Sequence, residues 1–203
     1  MASHLFLLSL SLSSLLVYSA IASDAPAPPP TANDSALIFI KTACETTLYP
    51  DLCLSSLSGQ VEYVTYSHKK LARAALMVSL SATKATAGFV AELIKTAKVS
   101  EEEQMALNDC VEALEDGEDK MNDSMKELQR IKTESFKWQM SNVQTWISAA
   151  LTDENACSDG FEELDGEVKD VIAGKIGDLA QLTSNALSLV NHFSTATVGG
   201  EQH

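Results

Sequence analysis

The groups in this chain able to do chemistry are four cysteines, a few histidines and a large excess of carboxylates. As metal ligands, Cys44, Cys53, Cys110 and Cys157 would need CxxC pairs or histidines at ligand spacing, and the sequence offers neither. In an oxidising compartment the same even set forms two disulfides, and oxidised sulfur is no nucleophile. Spacing alone permits three pairings. The short loop makes Cys44–Cys53 the cheapest closure, which leaves Cys110 for Cys157. Chain-entropy arithmetic gives about 2.5–3 kcal/mol for the short bridge and about 4 kcal/mol for the long one.

Outside the first residues the histidines are His68 in a polar Tyr-Ser-His-Lys-Lys run, His192 near a helix end and His203 in the tail. All three read as structural or solvated. GxSxG, HExxH and glycine-rich phosphate loops are absent. The expectation is therefore no catalytic residue, no cofactor and no metal: not an enzyme. Residues 153–167, DENACSDGFEELDGE, come nearest to a calcium loop. With Gly160 at the turn, Cys157 falls on a ligand position and Gly166 where a bidentate Glu belongs. The segment reads instead as a helix connection anchored by Cys157.

The carboxylates are more informative. Net charge is −14, from 14 basic and 28 acidic residues. That argues against nucleic acid, anionic lipid and acidic polysaccharide, and favours steering of a basic protein. On one helix, Glu112, Asp116, Asp119 and Asp123 fall at steps of four, three and four, roughly opposite Leu114 and Met121. Like charges so spaced repel by about a few tenths of a kcal/mol per pair. Only Lys120 and Lys126 lie near enough to offset them. The stripe is either a solvated face or a docking surface.

The elements that position these groups begin with a leader. Residues 1–22, MASHLFLLSLSLSSLLVYSAIA, carry no charged side chain, an apolar run from Leu5 to Val17 and an Ala-Ile-Ala exit. Cleavage is expected after Ala22 or Ser23, giving a secreted, soluble protein with no later membrane-crossing segment. Residues 23–34 form an extended Pro/Ala-rich lead-in. Asn33 and Asn122 begin Asn-Asp-Ser glycosylation patterns, the second inside a predicted helix.

From residue 35 the period is helical. SALIFIKTACETT ends before Tyr49-Pro50, and Pro50 opens a second short helix through Ser58. Two such short helices are unstable alone, so a bridge across their turn would clasp them as a hairpin. A long helix over Lys69–Lys98 presents Leu71, Ala75, Val78, Ala82, Ala85, Phe89 and Leu93. Ser100 and Glu103 form a capping box for a helix with Leu107, Cys110, Val111, Leu114, Met121, Met125, Leu128 and Ile131 inward. Gly117 interrupts it at about 1 kcal/mol relative to Ala, marking a kink or close contact. A third element near Ser141–Leu151 presents Val143, Trp146, Ile147, Ala150 and Leu151. The last, Glu167–Phe193, presents Val168, Ile172, Ile176, Leu179, Thr183, Ala186, Val190 and Phe193. The fold expected is all-α: an antiparallel four-helix bundle over 35–195, preceded by the hairpin at 35–60, with a flexible tail at 196–203.

CETTLYPDLC followed by LSSLS resembles the N-terminal hairpin of the plant invertase/pectin methylesterase inhibitor family. Asp109-Cys110-x-Glu112, TWISAALTDENACSDGF at 145–161 and SNALSLV at 184–190 are similar to its later motifs, in order. The resemblance implies the bundle and hairpin, disulfides first-to-second and third-to-fourth, and no catalysis. It also implies inhibition of a secreted carbohydrate-active enzyme by covering the substrate cleft in a 1:1 complex. TWISAALT and CSDGF look like the pectin methylesterase inhibitors and the related esterase pro-regions. The Pro-Lys-Phe element of invertase inhibitors is not reproduced by Ser135-Phe136-Lys137-Trp138. No esterase domain or dibasic motif follows the bundle, so a stand-alone inhibitor is expected. Ala156 stands where many members have Thr, which removes any hydrogen bond from that position. By resemblance, Glu112, Asp116, Asp119 and Asp159 face the esterase. The expectation is an apoplastic, cell-wall pectin methylesterase inhibitor; the alternatives are an invertase inhibitor and a non-inhibitory wall-binding structural protein.

Overall fold

The computed structural model describes residues 31–200, with side chains through residue 197. The expected leader, its cleavage site and most of the lead-in lie outside the described residues. The described residues form helices α1 (Ala32–Cys44), α2 (Pro50–Leu57), α3 (Val61–Val64), α4 (His68–Thr96), α5 (Glu101–Gln129), α6 (Phe136–Asp159) and α7 (Glu167–Gly200). Helices α4 to α7 make the antiparallel bundle: each packs on the next, and α7 closes against α4. The hairpin of α1 and α2, extended by α3, sits against α4 and α7.

Caps explain where several helices start. Thr31 Oγ1 accepts from the Asp34 amide at 3.2 Å, and the Asp34 carboxylate accepts from the Thr31 amide at 2.9 Å. This capping box starts α1 inside the stretch expected to be extended, so residues 32–34 are helical. Pro50 opens α2 as expected. Ser67 Oγ caps α4 at the Lys70 amide, and the Ser100–Glu103 box starts α5. Before α4, Thr65 and Tyr66 take left-handed φ of 40° and 60°, a turn costing roughly 1–2 kcal/mol per residue. Lys70 Nζ donates to Thr65 Oγ1 at 3.0 Å and helps hold it.

Four further sequence expectations need correction. Helix α6 is far longer than 141–151 and contains Cys157 and the first part of the supposed connection, residues 153–159, leaving the turns at 160–166. Its outer inward positions include Gln139 and Glu154 beside Met140 and Cys157; the first two are buried but polar, which breaks the apolar period. Residues 196–200 continue α7 rather than forming a loose tail. Ala85 is exposed, because the inward face of α4 runs through Leu76, Ser79, Thr83, Thr86 and Val90. Finally, α4 is long and apolar enough, by length and composition, to cross a membrane; in the fold that apolar surface packs between α5 and α7.

The core has two apolar clusters. One joins the hairpin to the near half of the bundle through Ile40, Cys44, Cys53, Leu57, Leu76, Met121, Ile147 and Val190. The other fills the far half around Val90, Leu107, Cys110, Leu114, Cys157, Phe161, Ile172 and Leu179. Burial of this kind is the main source of stability for a bundle. Gly117 lies between the clusters, where a methyl group would sit 3.6 Å from the Ala150 carbonyl oxygen. That is an ordinary contact distance, so α5 and α6 pass here with room for a methyl group.

Candidate protein-docking site

Both disulfides form as loop lengths favour: Cys44–Cys53 with Cα atoms 5.5 Å apart, and Cys110–Cys157 at 4.2 Å. No cysteine is free. The first closes the hairpin on itself, and the second pins α5 to the end of α6. The hairpin is also tied to the bundle by a residue that sequence reasoning missed. Asn185, buried on α7, accepts from the Tyr49 amide at 3.1 Å and donates to the Tyr49 carbonyl at 2.9 Å. SNALSLV contains that clamp, but only its position in the motif pointed to it. Gln139 serves the α5–α6 loop in the same way, accepting from the Lys132 amide and the Ser135 hydroxyl.

On this frame Glu112, Asp116, Asp119 and Asp123 all lie exposed along α5. The two lysines near them behave differently. Lys126 pairs with Asp123 at 2.9 Å. Lys120 pairs with Asp153 on α6 at 2.8 Å and touches the row only at the Asp116 backbone carbonyl, 3.4 Å away. Glu112, Asp116 and Asp119 therefore have no ion-pair partner among the described residues. The same helical face starts with Met105, 60% exposed, and includes the exposed Asp109. Met105, seven residues before Glu112, was legible from helical spacing but lacks the charge that drew attention to the stripe.

Asp159 ends α6, exposed, two residues past the disulfide. A carboxylate there meets the negative end of the helix dipole. The bridge fixes the segments carrying Glu112 and Asp159, but no hydrogen bond or ion pair joins the two side chains.

Other candidates resolve into structure. His68 stacks on His192 at 4.6 Å between ring centroids and lies 4.9 Å from Phe39, at the joint of hairpin and bundle. Burial, then the facing His192, holds the His68 pKa below its ordinary value. In the calcium-like segment, Asp153 pairs with Lys120 while Glu154 points into the core. Among the described residues no three His, Cys, Asp or Glu side chains converge as metal ligands. A groove between α4, α5 and α7 holds Lys98, Glu103 and Glu167, but no nucleophile beside a base. Asn33 is exposed in the first turn of α1; Asn122 is half-buried and donates to Glu118.

Hairpin, bundle and crosslinks define a disulfide-braced all-α scaffold whose distinctive chemistry is a surface of unpaired carboxylates. Residues 38–189 match the family described as plant invertase/pectin methylesterase inhibitor. Pectinesterase inhibitor 9 of Arabidopsis thaliana is 46% identical over 164 residues, covering 77% of this chain and 80% of that protein. The 21 kDa protein of Daucus carota is 41% identical over 187 residues, 90% of this chain and 92% of that one. A crystal structure of mutant form A of a pectin methylesterase inhibitor from Arabidopsis shares the fold. Its TM-score is 0.61 at 20% identity, over 75% of this chain and 95% of that chain. The chain belongs to the plant invertase/pectin methylesterase inhibitor family.

Proposed function

We propose that this protein is a secreted inhibitor of a pectin methylesterase, acting in the cell wall by covering the enzyme's substrate cleft in a 1:1 complex. The observation that carries the reading is the exposed, unpaired row Glu112, Asp116 and Asp119 on a disulfide-pinned helix. Demethylesterified pectin is a polyanion, and a cleft that handles it attracts carboxylates. A rigid acidic helix meets such a cleft with little ordering cost, and complementary charge speeds encounter. Met105 at the head of the row supplies an apolar anchor beside the charges. Asp159 adds a carboxylate from the neighbouring helix end. Of the two sequons, Asn33 is the one presented to a glycan.

The test exchanges Asp116 and Asp119 for Asn and measures inhibition against salt, with a panel of pectin methylesterases and invertases. The expected result is slower association with the esterase and a flatter salt dependence. Unchanged inhibition and salt dependence would reduce the stripe to a solvated face. Inhibition of invertase alone would move the chain to the family's other target.

A further inference from the structure

The seam between the two apolar clusters is polar. Ser79 and Thr83 of α4, Glu154 of α6 and Thr183 of α7 are all completely buried there, and Gly117 of α5 lies at the same level. Thr183 Oγ1 is 2.7 Å from Ser79 Oγ and 2.7 Å from Glu154 Oε1. Thr83 Oγ1 donates to the Ser79 carbonyl. Glu154 Oε2 has no hydrogen-bond partner.

The charged groups around this layer are engaged elsewhere or face solvent. On α6 itself, Asp153 pairs with Lys120 of α5. Lys84 of α4 pairs with Glu118 of α5 at 3.3 Å. On α7, Lys175 and Asp178 are exposed. Among the described residues no cation pairs with Glu154. An ionised carboxylate here would leave an anionic oxygen fully buried with no partner in the protein, far costlier than a carbonyl oxygen of the neutral acid in the same place.

We propose that the Ser79–Thr183–Glu154 layer is a proton-controlled latch that joins the two halves of the bundle core when Glu154 is protonated and loosens when it ionises. In the neutral state Glu154 Oε1–H donates to Thr183 and Thr183 donates to Ser79. On ionisation the Glu154 proton leaves to solvent, both hydroxyls reverse, and Thr183 donates to the carboxylate. The Thr183 contacts can therefore be made in both states, but ionisation adds a buried, unpaired charge, and that cost is what loosens the latch.

Burial pushes the Glu154 pKa up, the Thr183 hydrogen bond pulls it partly back and the charge of Asp153 adds to the rise, to about 7 from an ordinary 4.5. Because the folded value is the higher one, the stabilisation is fully present below 4.5 and is lost as pH rises through about 7. The folding equilibrium constant should fall on the order of 70-fold from this group between pH 5 and pH 8. His68, with a lowered pKa, acts with the opposite sign, so the measurement must isolate Glu154.

The experiment compares the oxidised wild-type chain with Glu154→Gln, an analogue of the neutral acid, by denaturant unfolding across pH 5 to pH 8. The readout needs no esterase, so its outcome is separate from the inhibitor reading. The expected result is a wild-type to variant ratio of folding constants that drops by about 70-fold over that range. A ratio constant within about threefold overturns the proposal. Should the variant not fold, a carbon-13 NMR titration of the Glu154 carboxyl in the wild type decides. A midpoint near neutrality supports the latch, and one in the ordinary carboxylate range overturns it.

Discussion

Replacing Asn185 with Ala should detach the hairpin from the bundle without touching either disulfide. The Cys44–Cys53 bridge closes the hairpin on itself, so the polar attachment of its turn to α7 is the reciprocal pair of hydrogen bonds between Asn185 and Tyr49. Removing the amide deletes two hydrogen bonds at about 1 kcal/mol each, net. It also strands the Tyr49 N–H in a half-buried turn, adding roughly 1 kcal/mol more because water reaches it only in part; the Tyr49 carbonyl keeps the Cys53 amide at 2.9 Å. The sum is about 2–4 kcal/mol, or a fall in Tm of about 5–12 °C for a chain of this size. Hydrogen exchange read by mass spectrometry should show amides of the Tyr49 turn and α2 opening about 30-fold faster or more, while the α5–α6 interface keeps its protection. Asn185→Asp supplies a control. It keeps the acceptor but sets a carboxylate against the Tyr49 carbonyl, so its stability should recover at acid pH, where the protonated acid can donate again. A Tm within about 1 °C of wild type for the Ala variant, with unchanged hairpin protection, would refute the clamp.

Gly117→Ala should raise stability by about 0.5–1 kcal/mol, since the added methyl meets Ala150 and Asp153 at ordinary contact distances of 3.6–3.8 Å and the helix gains propensity. Thermal unfolding reads it, and a lowered Tm would mean that α5 and α6 have no room at that crossing. The His68 ring should titrate below 6.5 in proton NMR, because burial and His192 both disfavour its charged form. Its stabilisation is then fully present above 6.5 and is lost as pH falls through the lower folded value. His68→Gln should flatten that acid-side loss, and a midpoint at or above 6.5 would contradict the stack.

Much of this protein was legible in its sequence because the relevant interactions are local or periodic. A capping box spans three residues, so Ser100 and Glu103 announced the start of α5. Loop-closure entropy depends on separation along the chain, so the cysteine pairing followed from counting. Helical spacing placed Leu114 and Met121 inward and Glu112, Asp116 and Asp119 outward, as the fold has them. Failures came where polar residues turn inward. Ser79, Thr83, Gln139 and Glu154 look like surface residues to any pattern of apolar positions, so the inward face of α4 was misplaced and α6 was cut short.

What the sequence determined by itself was the hairpin and the four bundle helices, though not α3, with the two covalent ties and the acidic row, all consequences of residue type and spacing. Tertiary structure decided which polar groups are partners. Asn185 meets Tyr49 across 136 residues, His68 meets His192 between separate helices, and Lys120 of α5 takes Asp153 of α6 as its ion-pair partner. A buried polar side chain is stable only when a distant group satisfies it, and no local pattern records where that distant group will arrive.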